Sequence, residues 1–250
     1  MMKGLVLALT LLPGAALAWG APPADIDARI DRLVKAYPDY IVERDGNWLV
    51  LKSGERFPIS DGRRDKSFDE MLAHPDIDDM FYAAYPVGAA AEPPAMNFDP
   101  GRVRYAPLFD AMYGDCKKVR MRHLVVDWLP KHRGGQVDFS AQNGAAAALA
   151  AVSAELDDLP ERFMKYLVPN SGTFNCRDVA GTPVKSMHSW MAAIDINSDR
   201  ADYWRWSKDG WHNRVPMEIV RIFERHGFIW GGRWSHYDTM HFEYRPELLP

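Results

Sequence analysis

Pro216-Met-Glu-Ile-Val-Arg-Ile-Phe-Glu-Arg-His-Gly227 and, a short glycine- and aromatic-rich run later, Met240-His-Phe-Glu-Tyr244 decide how this chain folds. The first piece reads as a helix: proline suits its first turn, Ile219, Val220 and Phe223 form one apolar stripe, and Gly227 ends it. In the second, Met240, Phe242 and Tyr244 alternate with His241 and Glu243, the period of a strand with one apolar and one polar face. Ala193-Ile-Asp-Ile196 reads as another short strand ahead of them. The turns in this part of the chain are too short for parallel crossovers, so the pattern predicts an α+β fold with a small, mostly antiparallel sheet flanked by helices.

Working outward, 144–156 is alanine-rich with Leu149, Val152 and Leu156 at helical spacing, and Leu124-Val-Val-Asp-Trp-Leu129 reads as a buried strand. Nearer the N-terminus, 25–37 reads as a helix with Ile26, Ile30, Leu33, Val34 and Tyr37 on one face. Trp48–Leu51 and Arg56–Ile59 flank a turn and predict a hairpin. Residues 68–85 predict a helix in two pieces, interrupted at Pro75. The Ala- and Pro-rich run 88–101 predicts a loop that sets an N-terminal accessory segment, 19–102, against a core of 103–250.

The chain opens with Met1-Met-Lys3, an apolar run to Leu12, a Pro13-Gly14 break and Ala16-Leu-Ala18. That is the layout of a secretory signal peptide, 1–18, with cleavage expected after Ala18. The apolar run is too short to span a bilayer, so an exported chain (periplasmic or extracellular) with no stable membrane insertion is expected. A net charge of −4 without a basic stretch argues against a nucleic-acid partner, and 47% hydrophobic residues suffice for a full core. In an oxidising compartment Cys116 and Cys176 are expected to pair as a disulfide, since neither has the close cysteine neighbour of a zinc ribbon.

Two stretches carry chemistry. His188-Ser-Trp-Met-Ala-Ala-Ile-Asp195 and Asp238-Thr-Met-His241 together offer two imidazoles and a carboxylate, the protein ligands of an open zinc site, with a second carboxylate three residues before the last ligand. His188 must lie across a bend from the strand that holds Asp195. His241 points away from the Met240 and Phe242 side, towards a cleft. Taken singly, each stretch is better explained by structure than by function. His236 either orients the second carboxylate, contacts a ligand or is a plain loop residue. Arg102 and Arg104 are candidates for an acidic-substrate cleft, while His212 and His226 are assigned to structure. Trp190, Trp204, Trp206, Trp211, Trp230 and Trp234 cluster late in the chain, where packing is favoured over a groove lining.

The combination resembles the zinc D-Ala-D-Ala peptidases of the VanY and VanX type, within the broader LAS group that includes lysostaphin-like and hedgehog-like relatives. The resemblance rests on Ser171-Gly-Thr-Phe-Asn-Cys-Arg177, Lys185-Ser-Met-His188, Ala193-Ile-Asp195 and Phe223-Glu-Arg-His-Gly-Phe-Ile-Trp-Gly-Gly-Arg-Trp-Ser-His-Tyr-Asp-Thr-Met-His-Phe-Glu243. It covers roughly 103–247 and is most specific over 171–243. It implies a central zinc cleft of the hedgehog/D-Ala-D-Ala peptidase type, with His188, Asp195 and His241 as Zn²⁺ ligands and Asp238 as catalytic base. It also implies Arg177 at the substrate carbonyl or carboxylate and Ser186 in the substrate pocket. Asp238 suits proton transfer, and Arg177, always charged and fork-shaped, suits an oxyanion or a terminal carboxylate. One departure stands out: the family usually has glycine three residues after the first histidine, where this chain has Met191.

The resulting expectation is an exported zinc metallopeptidase acting on peptidoglycan stem peptides, with D,D-carboxypeptidase activity leading. An endopeptidase cutting within the stem or cross-link is the alternative, and a non-catalytic cell-wall or zinc-binding module is the competing class.

Overall fold

A computed structural model describes residues 23–179, 181–182 and 184–250; the signal peptide and cleavage site expected at 1–18 lie outside them. Ile26–Ala36 forms α1, whose Ile30 and Leu33 are buried. Ile41–Asp45 (β1), Trp48–Leu51 (β2) and Arg56–Pro58 (β3) make an antiparallel meander. The expected hairpin is its second half. Strand β1 was not expected, although Gly46-Asn47 between Asp45 and Trp48 is a two-residue hairpin connection with Gly46 at φ 58°.

The two-piece helix around Pro75 resolves into Phe68–Ala73 (α2) and a 3-10 turn, Asp78–Phe81. Ser67 and Glu70 close a capping box on α2 by satisfying each other's backbone N–H groups. After the loop come Ala106–Tyr113 (α3), the ribbon of His123–Asp127 (β4) with Gln136–Ser140 (β5), Ala145–Leu156 (α4) and the short Met164–Leu167 (α5). Ala193–Asp195 (β6), Met217–Arg225 (α6), Phe228–Trp230 (β7) and His241–Tyr244 (β8) complete the chain, with sheet order β6-β8-β7. Each of these pairings is antiparallel, so the architecture is α+β with small antiparallel sheets.

One expectation needs correction. The strand at 124–129 is not buried along its length: Leu124 and Val125 are 56% and 58% exposed, and burial is confined to Val126, Trp128 and Leu129. With β5 as its sole strand partner, β4 has few neighbours to cover it. In β8, between β6 and β7, His241, Phe242 and Glu243 are all buried, and His241 lines a cavity on the polar face as its alternation with Met240 and Phe242 predicts.

One apolar cluster joins Leu33 and Leu49 of the N-terminal segment to Phe109, Trp190, Ile229 and Leu248. The Tyr37 hydroxyl donates to Glu247 across the same junction, at 2.6 Å. A second cluster packs Leu149 of α4 and Phe223 of α6 against Phe139, Phe228 and Phe242. The N-terminal segment therefore shares a core with the C-terminal sheet. Among the described residues no helix is long and apolar enough to cross a membrane.

Candidate metal centre

Asp195 and His241 sit directly opposite each other in the β6–β8 register. Opposed residues of an antiparallel pair leave the same face with Cβ atoms about 5 Å apart, so register alone brings this carboxylate and imidazole together. His188 arrives from the 3-10 turn Met187–Trp190, capped by the Ser186 side chain, which accepts from the His188 backbone N–H.

Met191 then reverses the chain into β6 with φ 53° and ψ 32°, the left-handed region. A non-glycine residue there costs about 1–2 kcal/mol, and glycine far less. The position where the resembling family has glycine is thus one that demands positive φ. Met191 is held in it by burial of the residue (3% exposed) and by its carbonyl, which accepts from Ser140 N–H at 2.8 Å.

The three side chains converge tightly. His188 Nε2 lies 3.2 Å from His241 Nδ1 and 3.2 Å from Asp195 Oδ1, and His241 Nδ1 is 3.0 Å from the same oxygen. The far nitrogens are tied down as well. His188 Nδ1 is 3.1 Å from the Thr173 carbonyl, and His241 Nε2 is 3.0 Å from Glu243 Oε2. Such partners orient ligand histidines and fix which nitrogen keeps a lone pair for a metal. Glu243 is itself fully buried between Arg104 Nη2 (2.5 Å) and Arg245 Nη1 (3.1 Å).

This donor set fits a cation. Burial disfavours a charged His241, but hydrogen bonds to Asp195 and Glu243 outweigh it and push its pKa up to about 10. Asp195, despite burial, is held well below the usual carboxylate range by His188 and His241. A proton on His241 therefore occupies the charge position that a metal would take, and His188, Asp195 and His241 are the residues able to hold one. Uptake of a divalent cation should displace the His241 proton together with any proton that Asp238 still carries near neutral pH, so affinity should climb at least about tenfold per pH unit until His241 titrates. Calorimetry in buffers of different ionisation enthalpy measures both. The metal-free fold has the opposite dependence: the His241 contribution is complete below its unfolded pKa near 6.5 and is lost as pH rises through about 10.

Asp238 borders the same cavity, about 280 Å³ in volume. Its Oδ1 is buried and finds no hydrogen-bond partner among the described residues. Burial first, and then the Asp195 charge, push its pKa up to about 7. Gly231 and Gly232 make room for this turn. A Cβ on Gly231 would lie 2.6 Å from the Asp238 carbonyl, and one on Gly232 would lie 2.1 Å from the Trp230 ring.

Arg177, Ser186 and His236 line the same cavity, so the structure brings all seven sequence-predicted site residues to one place. Arg177 is exposed and follows Cys176, which is disulfide-bonded to Cys116. Removing both cysteines (Cys116→Ser, Cys176→Ser) should cost about 4 kcal/mol for a sequence separation of 60, in the chain-entropy view, as read by denaturant melts. Arg102 and Arg104, the candidates for an acidic-substrate cleft, line the same cavity and are also held internally: Arg102 contacts Asp99 and the His236 carbonyl, and Arg104 neutralises Glu243.

Three partners were not singled out in the sequence. Asp99, in the 88–101 loop, is fully buried and holds His236: Nδ1 lies 2.6 Å from Oδ2, and the His236 backbone N–H donates to Oδ1 at 3.1 Å. Thr173 serves His188 through its backbone carbonyl, which side-chain identity does not advertise. Glu243 did carry a signal, since it lies two residues from His241 on a strand and therefore on the same face.

A family model described as D-alanyl-D-alanine carboxypeptidase matches residues 180–244. No curated protein and no solved structure matches the chain. The matched stretch contains His188, Asp195, Asp238, His241 and Glu243, while Arg177 and Asp99 fall outside it. Over this stretch, which carries the converging imidazoles and carboxylates, the chain resembles the VanY-type D-alanyl-D-alanine peptidases.

Proposed function

We propose that this chain is an exported zinc metallopeptidase that hydrolyses peptidoglycan stem peptides, acting as a D,D-carboxypeptidase that removes terminal D-Ala. The observation that carries the reading is the convergence of His188 Nε2, His241 Nδ1 and Asp195 Oδ1 in a cavity that also holds Asp238, whose buried Oδ1 has no hydrogen-bond partner among the described residues. Two of the three ligands stand on neighbouring strands of a small antiparallel sheet, which supports the hedgehog/D-Ala-D-Ala peptidase type of cleft. The disulfide supports export, since such bonds persist in oxidising compartments.

When bound, zinc supplies Lewis acidity and makes water a nucleophile near neutral pH. Asp238 takes the proton from the attacking water and returns it to the leaving amine as the peptide C–N bond breaks. Arg177 receives the substrate carbonyl or terminal carboxylate with its forked guanidinium. Ser186 caps the turn that holds His188 and borders the substrate. Asp99 fixes the His236 ring by one nitrogen, leaving Nε2 as the nitrogen for substrate.

The endopeptidase reading keeps the same chemistry. It is favoured by a second groove that adjoins the cavity at Tyr203 and Trp206, leaving space beyond one end of the site. Mass spectrometry of defined muropeptides, with and without cross-links, tests both. Loss of D-Ala alone is the expected product, and separated stems would select the endopeptidase. Absence of any chelator-sensitive product would leave a non-catalytic binding module.

A further inference from the structure

We infer that the groove beside Trp206 is a sugar subsite, binding an N-acetylated pyranose of the glycan strand to which a stem peptide is attached. This rests on the peptidoglycan reading of the adjoining metal centre. Trp206 is 64% exposed, whereas Trp190 and Trp230 are fully buried. It borders both the metal cavity and a second groove of about 430 Å³.

The exposure does not come from a loose segment. Tyr203 forms a β-bridge with Asp238, and Trp204 N–H donates to the Tyr237 carbonyl at 2.9 Å. Trp206 N–H donates back to the Tyr203 carbonyl at 2.9 Å, and the Tyr203 and Trp206 rings meet at 5.3 Å and 72°. Further along, the Tyr237 hydroxyl donates to the Gly210 carbonyl at 2.5 Å and Trp211 Nε1 donates to the Gly232 carbonyl at 3.1 Å. A well-anchored turn thus presents an indole to water, against the usual preference of so large an apolar group for burial.

The rest of the groove is polar and of mixed sign: Asp202, Ser207, Lys208, Asp209, His212 and Arg214 line it. An apolar plate with a hydrogen-bonding rim matches a pyranose, which has an apolar C–H face and hydroxyl and acetamido edges. The opposed charges of Asp202 and Asp209 against Lys208 and Arg214 suit a neutral ring better than a polyanion. The turn also carries the partner of the Asp238 backbone, so a ring stacked here lies along the same cavity wall as the proposed base.

The test compares full-length wild type with Trp206→Ala and Trp206→Tyr. Two substrates are cut: stem peptide still linked to glycan, and the same peptide without sugar. In parallel, a peptide-free N-acetylglucosamine tetramer is titrated by NMR. For Trp206→Ala the kcat/KM ratio of glycan-linked to sugar-free substrate should fall roughly fivefold to tenfold, with recovery in Trp206→Tyr, and tetramer binding should weaken in step. An unchanged ratio, or a tetramer that does not bind wild type, overturns the subsite. If the tetramer binds through Trp206 but neither substrate is cut, the peptidase reading fails and the sugar subsite stands.

Discussion

Asp238→Asn is expected to lower kcat/KM for stem-peptide hydrolysis by about 10²–10⁴-fold while zinc uptake survives. The substitution keeps the shape of the side chain and removes its ability to accept a proton. Its Oδ1 has no partner among the described residues, so little structural support is lost. The stability effect should run the other way. Burial and the Asp195 charge raise the Asp238 pKa from 3.8 to about 7. A carboxyl with a raised folded-state pKa contributes stability below its unfolded pKa and loses it as pH rises through the folded one. Above pH 7 the ionised group is a burden, and the metal-free asparagine variant should melt higher than wild type. Lost activity with a raised Tm separates lost chemistry from misfolding. The pH profile adds a sign: wild-type activity falls as acid protonates Asp238. Zinc, when bound, would lower its pKa, so with zinc kept saturating the acid limb lies below about pH 7 and disappears in the variant.

Glu243→Gln should weaken zinc binding about 10–100-fold and destabilise the metal-free fold by about 3–5 kcal/mol. Burial opposes ionisation of Glu243, but Arg104, His241 and Arg245 hold its pKa down at about 2. Its carboxylate faces Arg104 at 2.5 Å and Arg245 at 3.1 Å, all three side chains being almost completely buried. Glutamine keeps the volume and leaves Arg104 as a buried cation without its counter-charge. The same change loosens the orientation of His241. It also relaxes the hold on the competing proton, but a divalent ion feels the missing carboxylate more strongly than a proton does, so affinity falls. Chelator competition and denaturant melts read the two effects separately. The destabilisation should diminish at acid pH, because a group with a depressed folded-state pKa contributes above its unfolded pKa, near 4.5, and loses that contribution as pH falls through about 2.

Local pattern made much of this chain legible. The helix at Met217–Arg225 and the strand at His241–Tyr244 follow periods of 3.6 and 2 that few other conformations satisfy. Strand β7, Phe228–Trp230, escaped because three successive buried apolar residues show no alternation, and β5 escaped although it completes the β4 ribbon. The polar face of β8 was readable as polar, but its burial was not. That burial depends on Arg104 and on the tail of the chain, with Arg245 also hydrogen-bonded to Glu247.

The ligand types and the spacing of the base follow from the sequence alone, because a metal site needs particular donor atoms and those can be read off residue by residue. Whether the donors meet is another matter. Asp195 and His241 are brought together by a strand register, His188 by a left-handed turn at Met191, and His236 by Asp99 from a loop 137 residues earlier in the chain. These contacts are set by how distant segments pack, and no local period encodes a long-range distance. The sequence determined which chemistry was available, and the tertiary structure decided that its parts share one cavity.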